Sequence, residues 1–217
     1  VVTKIVYKKV IRYNEDQQKT EEIGFDGVDV FKNKYIYDGG KLQKITYYIE
    51  DKTDETRFFS YKGNTTYVDV NDGNGKNKLQ IIMEYKGDNL VKEIHKDPMG
   101  KVVKKNIFTY NNQGLKIKEE EYRFGNLIYR KSFLYNDHNL LKQIIHQNAE
   151  GKSYISNKYN YNDREQLIEE RWNDEDSRYY SKRGYTYNPD GTKKNVDCFY
   201  APYDYRVLYK YTYEYYE

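Results

Sequence analysis

The sequence predicts an all-β fold of consecutive antiparallel β-hairpin repeats, with about 25 residues in each repeat and about 16 to 18 strands in one long curled meander sheet. Three observations predict this class: a tyrosine motif at a nearly fixed period, a polar turn segment after each motif, and alternation of apolar and polar residues between turns. Residues 1–217 are assigned to one repeat domain.

The tyrosine motif consists of an apolar or aromatic residue, any residue, and then Tyr. Its final tyrosines follow one another at intervals of 24, 24, 24, 25, 25, 26, 26 and 26 residues. Because such tyrosines would recur on every second strand, we expect a ladder across the sheet, in which each large ring is buried while its hydroxyl stays hydrogen-bonded or in water. The predicted ladder consists of Tyr13, Tyr37, Tyr61, Tyr85, Tyr110, Tyr135, Tyr161 and Tyr187, and Tyr213 ends the series.

Polar segments divide every repeat into two strands. Segments such as 38–40 and 136–139 directly follow the motif, and weaker ones such as 72–75 lie about halfway to the next motif. Gly, Asn and Asp accept a positive φ, and Asn and Asp side chains hydrogen-bond to the nearby backbone, so each segment predicts a chain reversal. Turns about 12 residues apart are typical of an all-β chain.

The residues between turns alternate as in half-buried strands. Leu127, Tyr129 and Phe133 share one predicted face, whereas Arg130 and Ser132 share the other. Segments 116–122 and 165–172 contain residues that favour helices, but they keep the repeat spacing and are predicted as strands. Segments 1–10 and 209–217 are predicted to be edge strands, where self-association or partner pairing is expected because their backbone groups are unpaired.

Composition limits both the core and the partners. Val, Ile, Leu and Phe number 47 of 217 residues, close to the roughly 20% level below which chains stay disordered, so tyrosine must supply much of the core. The charge of +3 comes from 37 basic and 34 acidic residues mixed along the chain, which argues against a nucleic-acid groove. No apolar run approaches the roughly 18 residues of a membrane helix.

Residues 35–42, with the sequence Tyr-Ile-Tyr-Asp-Gly-Gly-Lys-Leu, resemble the Tyr-x-Tyr-Asp-x-x-Gly-Arg-Leu core of bacterial YD repeats. These repeats build the Rhs and teneurin-like shell proteins. The resemblance extends over about residues 11–213, with related versions at 133–141, 159–167 and 185–191. The repeat is degenerate, since only Tyr37 is followed by Asp and the Gly-Arg-Leu end is nowhere intact.

The resemblance implies a β-hairpin array that is exported or lies at the cell surface. In the large toxins such repeats form a shell around a cargo domain, but 217 residues are too few to enclose one. The chain is therefore more similar to small stand-alone repeat proteins of bacterial envelopes. Because the sequence opens at Val1 and not at Met, we expect an export signal to have been removed, and a periplasmic or cell-surface location follows as an expectation.

Catalytic, cofactor and metal sites are not predicted. His95, His138 and His146 are expected to be solvated, and the first and last lie four strands apart, roughly 19 Å at about 4.8 Å per strand, too far to share a metal. Cys198 has no nearby His, no serine lies in a Gly-x-Ser-x-Gly elbow, and no glycine-rich phosphate loop opens a helix. Segment 72–77 has calcium-loop composition but lacks the Glu at the twelfth position.

Carboxylates suggest one enzymatic alternative, a glycoside-processing enzyme with an acid pair on the concave face. Within a strand only Glu119 and Glu121 of segment 119–121 share a face, about 7 Å apart. Basic residues nearby, such as Lys116 and Lys118, favour cross-strand ion pairs instead. The acidic segment 174–176 is a second candidate of the same kind.

Aromatic residues suggest the leading hypothesis, a non-enzymatic binding or scaffold module that presents a Tyr-rich sheet face to a glycan or protein partner. Trp172, Tyr179 and Tyr180 are candidates for stacking on a ligand, and the tyrosines of 209–216 are further candidates, because neutral sugar rings need no charge excess. A structural fragment of a longer repeat array is a third alternative.

Overall fold

A computed structural model of the protein describes residues 8–25, 28–173 and 180–212. Over these ranges the chain forms 17 antiparallel strands of one sheet and a short 3-10 helix, Ala201–Tyr203. The all-β class with consecutive hairpins is thereby confirmed. Segment 116–122 is a strand as predicted; in segment 165–172, residues 167–172 form a strand, whereas Glu165 and Gln166 belong to the preceding turn. No helix within the described ranges is long and apolar enough to cross a membrane.

Contacts divide the chain into two compact units. Unit 1 comprises Val1–Asn106 and Arg123–Asn126, and unit 2 comprises Ile107–Tyr122 and Leu127–Glu217, with the undescribed residues falling in both. In chain order the strands are β1 (Lys8–Tyr13), β2 (Lys19–Phe25), β3 (Val30–Asp38), β4 (Lys41–Ile49), β5 (Lys52–Lys62), β6 (Thr65–Asp72), β7 (Asn77–Lys86), β8 (Asn89–Lys96), β9 (Val102–Tyr110), β10 (Lys116–Arg123), β11 (Asn126–Tyr135), β12 (Leu141–Asn148), β13 (Ser153–Tyr161), β14 (Leu167–Asn173), β15 (Tyr180–Tyr187), β16 (Lys193–Tyr200) and β17 (Tyr205–Lys210).

Each unit has a thin core of its own. In unit 1, strands β1 to β8 pair in chain order, and Ile45, Val68 and Val70 are buried. In unit 2, strands β11 to β17 pair in chain order, and Phe133, Val196 and Cys198 are buried. Few aliphatic side chains are deeply buried in either unit, in keeping with the composition.

The turns use Asn and Asp as the sequence predicts. In 136–140, the Asn136 carboxamide oxygen accepts hydrogen bonds from the amides of His138 and Leu140 at 3.1 and 2.9 Å. Asn139 then adopts a positive φ of 61°, the geometry of a type I turn followed by a left-handed residue. Asp72 and Asp97 organise their turns in the same way, so segment 72–77 is a hairpin turn.

A β-bulge accompanies most ladder tyrosines. The register shifts between Leu134 and Tyr135, since Tyr135 pairs with Leu141 and Leu134 with Gln143, which leaves Lys142 as the extra residue. The same shift precedes Tyr13, Tyr37, Tyr85, Tyr161 and Tyr187.

The ladder tyrosines connect successive repeats through their hydroxyl groups. The residue opposite one tyrosine supplies the carbonyl that accepts a hydrogen bond from the tyrosine of the next repeat. Leu141, opposite Tyr135, accepts from Tyr161 at 2.9 Å, and Leu167, opposite Tyr161, accepts from Tyr187 at 2.7 Å. The equivalent bonds join Tyr37 to Lys19, Tyr61 to Leu42 and Tyr135 to Lys116. Tyr85 instead contacts the Met83 sulfur at 3.6 Å, and Tyr213 lies outside the described residues.

Candidate functional site

The predicted stacking residues do not form one platform. Trp172 lies opposite Ser181, whereas Tyr180 lies opposite Asn173, and neighbouring residues of a strand point to opposite faces. Trp172 and Tyr180 therefore occupy different faces of unit 2, and Tyr179 lies outside the described residues.

Each of the two described aromatics packs against protein groups on its own face. The Trp172 ring lies 5.1 Å from the Arg183 guanidinium and makes an edge contact with Tyr200 at 6.2 Å. On the other face, the Tyr180 ring lies 4.8 Å from the Arg171 guanidinium and 5.9 Å from the Phe199 ring.

The face of unit 2 that carries Tyr161, Tyr187 and Trp172 also carries an open depression of about 310 Å³. We call it the C-terminal depression. It is lined by Arg183, Tyr185, Lys193, Val196, Cys198, Tyr200, Tyr209 and Tyr211.

Strand register explains why these side chains meet. Arg183 of β15 lies opposite Cys198 of β16, and Tyr185 lies opposite Val196. Val196 in turn lies opposite Tyr209 of β17. Directly paired residues project from the same face, so three consecutive strands contribute alternate residues to one surface.

The C-terminal depression has an apolar floor and aromatic walls. Val196 and Cys198 are 6% and 2% exposed and form its floor. Tyr209 and Tyr211 are 51% and 45% exposed, so their rings remain accessible. Exposed tyrosine rings beside a buried floor can stack on an apolar ring face of a ligand while their hydroxyls hydrogen-bond to it.

Positive charge surrounds this aromatic surface. The Arg183 guanidinium lies 3.9 Å from the Glu170 carboxylate, and Tyr185 donates a hydrogen bond to the same carboxylate at 3.3 Å. Burial lowers the pKa of Arg183, but hydrogen bonds with Tyr200 and Tyr185 raise it by more. The net pKa is therefore raised and the side chain stays charged. The Lys193 ammonium lies 5.4 Å from the centre of the Tyr185 ring.

The predicted acid pair lies elsewhere in unit 2 and does not line the depression. Glu119 and Glu121 both lie within hydrogen-bonding distance of the Tyr129 hydroxyl, at 3.1 and 3.2 Å. Glu119 also binds the Lys116 ammonium at 2.8 Å. Burial raises the pKa of Glu119, but the hydrogen bond and charge of Lys116 outweigh it and the net pKa is lowered. A lowered pKa keeps Glu119 ionised, which does not suit the general acid of a glycosidase.

Glu120 points away from that pair and forms ion pairs with Lys118 at 3.0 Å and Arg130 at 2.8 Å. The pair with Arg130 of β11 is a cross-strand ion pair as expected from the sequence, whereas the pair with Lys118 lies within β10. The acidic segment 174–176 lies outside the described residues.

The histidines do not converge. His138 is exposed in a turn and lies 2.8 Å from Glu165. His95 and His146 are near strand ends but partly buried, contrary to the solvated positions expected. His95 contacts Glu93 at 2.5 Å, and His146 lies between the rings of Tyr129 and Tyr154. Within the described ranges, no group of three or more His, Cys, Asp or Glu side chains could hold a metal ion.

Sequence reasoning named the tyrosines of 209–216 as possible ligand contacts but missed Lys193 and Tyr200. A comparison between repeats contains the missing signal. Lys193 stands six residues after its ladder tyrosine, as Lys19 and Lys116 do after Tyr13 and Tyr110, so its surroundings can be compared across repeats.

Comparisons with known proteins establish a likeness of fold. A porin-like protein from Bacteroides uniformis is 10% identical, with a TM-score of 0.51 over 94% of this chain and 91% of that one. A Tc holotoxin pore of Photorhabdus luminescens matches 89% of this chain and 13% of its own at 9% identity and a TM-score of 0.29. A Bacteroides fragilis protein of unknown function matches 64% of this chain and 86% of its own at 12% identity and a TM-score of 0.28. The last two scores are too low to bear on the fold.

No protein-family model matches the chain. No curated protein matches it either.

Proposed function

We propose that the protein is a non-enzymatic binding module of a bacterial envelope, and that it holds a glycan in the C-terminal depression. The observation that carries the proposal is the accessible tyrosine surface of Tyr209 and Tyr211 over a floor of buried Val196 and Cys198. Pyranose rings present apolar C–H faces and a rim of hydroxyls, a combination that suits exposed tyrosine.

The envelope location rests on the resemblance to exported YD repeats. The likeness to the porin-like Bacteroides uniformis protein extends to the fold alone and adds nothing about ligands. Fractionation of the producing bacterium, with an antibody to this chain, tests the location, and recovery in the cytosol alone would contradict it.

Glycan binding is tested by screening the purified chain on a glycan array and measuring the affinity of the best binder by calorimetry. We expect Tyr209→Ala to remove an accessible stacking ring and so to weaken binding about tenfold or more, a change of about 1.4 kcal/mol or more. Leu208→Ala is the matched control, because Leu208 is 54% exposed on the same strand and lies opposite Asp197, on the other face.

Two results would overturn the proposal. One is the absence of any reproducible glycan binder, and the other is an equal affinity of the wild type and Tyr209→Ala. Release of new reducing ends from the bound oligosaccharide would favour the glycoside-processing alternative, and Glu119→Gln would then be expected to abolish it.

A further inference from the structure

Three repeats carry a lysine at the same structural position. Lys19 lies opposite Tyr13, and Lys193 lies opposite Tyr187, each beside a bulge. Lys116 follows Tyr110 at the same interval of six residues. Three residues after these lysines stand Glu22, Glu119 and Val196, respectively.

The first two lysines are neutralised within their own strand. The Lys19 ammonium lies 2.8 Å from the Glu22 carboxylate and 4.4 Å from the centre of the Tyr35 ring. Hydrogen bonds from Lys19 and Lys9 lower the pKa of Glu22 to about 2, so this carboxylate stays ionised near neutral pH.

Lys116 has the same arrangement with a second ring. Its ammonium lies 2.8 Å from Glu119, 4.4 Å from the Phe133 ring and 5.4 Å from the Phe108 ring. A cation between two aromatic faces and one carboxylate is favourable, because the ring quadrupoles attract the ammonium and the carboxylate neutralises it.

Lys193 keeps one ring contact but has no carboxylate three residues further along its strand. Its ammonium lies 5.4 Å from the Tyr185 ring, the distance that separates Lys116 from Phe108. Tyr211, two residues before Tyr213, takes the sequence position of Phe133 and lines the same depression. Val196 occupies the position of Glu119, and no ion pair joins Lys193 to a carboxylate within residues 8–25, 28–173 and 180–212.

The neighbouring cation adds to this charge. Arg183 lines the depression too, and its nearest ion-pair partner, Glu170 at 3.9 Å, also accepts a hydrogen bond from Tyr185. Two cations therefore border the aromatic surface, with one carboxylate beside them in the described part of unit 2.

We propose that the C-terminal depression binds a carboxylate-bearing saccharide, with the uronate carboxylate on Lys193 in the manner of Glu119 on Lys116, and the sugar ring against Tyr209 and Tyr211. This inference rests on the proposed glycan-binding function and names the class of glycan. The depression of about 310 Å³ is at the lower end of the range for small-ligand sites, which suits one or two sugar rings.

The test uses an oligogalacturonate and its methyl ester as probes, which share the sugar ring and differ in charge. We expect calorimetry on the full chain to give an affinity for the acid at least tenfold higher than for the ester. Raising the salt concentration is expected to weaken binding of the acid, because exposed charge pairs are screened, and to leave the ester unaffected.

Two variants test the role of Lys193. Lys193→Leu introduces the residue found at this position in the repeats with Leu141 and Leu167, and Val196→Glu supplies the carboxylate that accompanies Lys116. Both are expected to lower the affinity for the acid at least tenfold and so to remove the preference of the chain for the acid over the ester. Lys210→Leu is the control, since Lys210 pairs with Asn195 on the other face.

The outcomes separate the two levels of the proposal. Equal binding of acid and ester overturns this inference and leaves the glycan-binding function standing, whereas failure of every glycan overturns both. If a glutamate-rich peptide displaces the acid and binds with higher affinity than the acid does, the assignment of a saccharide ligand would be overturned. Should Val196→Glu fail to fold, an unchanged affinity of Lys193→Leu for the acid would still refute the role of Lys193.

Discussion

Among single residues, the ladder tyrosines contribute hydroxyl groups as well as rings. Leu141 lies opposite Tyr135 directly before the bulge residue Lys142. A bulge disrupts the local hydrogen-bond ladder, and the Tyr161 hydroxyl donates to the Leu141 carbonyl at this point at 2.9 Å. The hydroxyl thus satisfies a backbone group next to the irregularity that the repeat itself creates.

Tyr161→Phe removes this hydroxyl and leaves the ring in place. We expect the free energy of unfolding to fall by about 1 to 2 kcal/mol, because a partly buried carbonyl loses its partner. Urea unfolding measures the change. Tyr13→Phe is the control, since its ring is 57% exposed and a change below about 0.5 kcal/mol is expected there. Equal effects of the two variants would contradict a role for the hydroxyl between repeats.

Glu165 has a backbone conformation that residues other than glycine rarely adopt. It adopts a φ of 61° in the turn after Asn162, where the equivalent positions at 114 and 191 are glycine. We expect Glu165→Gly to raise the free energy of unfolding by about 0.5 to 1 kcal/mol, because glycine accepts positive φ without strain.

The side chain of Glu165 adds little stability of its own, so its loss would offset only a small part of this gain. Its contact with His138 joins groups that are 56% and 67% exposed, and exposed ion pairs stabilise proteins weakly. Glu165→Ala separates the two effects, since it removes the carboxylate and retains the strain. A thermal melt in which Ala stabilises as much as Gly would show that the backbone is not the cause.

Among elements, the β2–β3 pair depends on a glycine. Gly24 lies opposite Phe31, and a Cβ at Gly24 would meet the ring at 2.0 Å. We expect Gly24→Val to lower the free energy of unfolding by about 1 to 3 kcal/mol, as overpacking usually does.

Gly184 provides the matched control for that substitution. It also lies within a strand, β15, but no heavy atom lies within 4 Å of a Cβ built there. Gly184→Val is expected to be neutral or stabilising, because a β-branched residue favours a strand. Combining Gly24→Val with Phe31→Ala should cost less than the sum of the single changes; strict additivity would rule out the ring as the source of the clash.

Strands and turns were predictable because both depend on local chemistry. Asn136 and Asp72 sit in turns through their own short-range hydrogen bonds, and the alternation in 127–135 matches the pleat of β11. The bulge at Lys142 was not predictable, since it follows from how two strands pair. Strand pairing also determines which carbonyl accepts a hydrogen bond from each ladder hydroxyl, so these partners were not predictable either.

For the molecule taken as a whole, the site was harder to predict than the fold. The ring chemistry of Trp172 and Tyr180 predicts stacking on a ligand, but the alternation of side chains along the strands places the two rings on opposite faces. Lys193 was not predictable as a ligand contact, because its role depends on Val196, which stands where a glutamate follows Lys19 and Lys116.

The tyrosines also determine how the stability of the chain depends on alkaline pH. Burial raises the pKa of Tyr61, Tyr110, Tyr135, Tyr161 and Tyr187 above the ordinary value of 10.0. A group whose pKa is higher in the folded state gives stability that is complete below the unfolded pKa and is lost as the pH rises through the folded value. The unfolded chain releases these protons first, so the stability should decline from about pH 10 upward.

Titration of the folded chain tests this linkage. We expect the near-ultraviolet absorbance of these five phenolates to rise above pH 10, together with the loss of β-sheet circular dichroism, because partial burial raises their pKa in the folded chain. The same chain already unfolded in urea is the control and should titrate gradually near the ordinary tyrosine pKa. If instead these five tyrosines ionised near pH 10 while the circular dichroism stayed constant, their hydroxyls would be solvated in the folded chain, and the linkage between their ionisation and the stability of the sheet would be refuted.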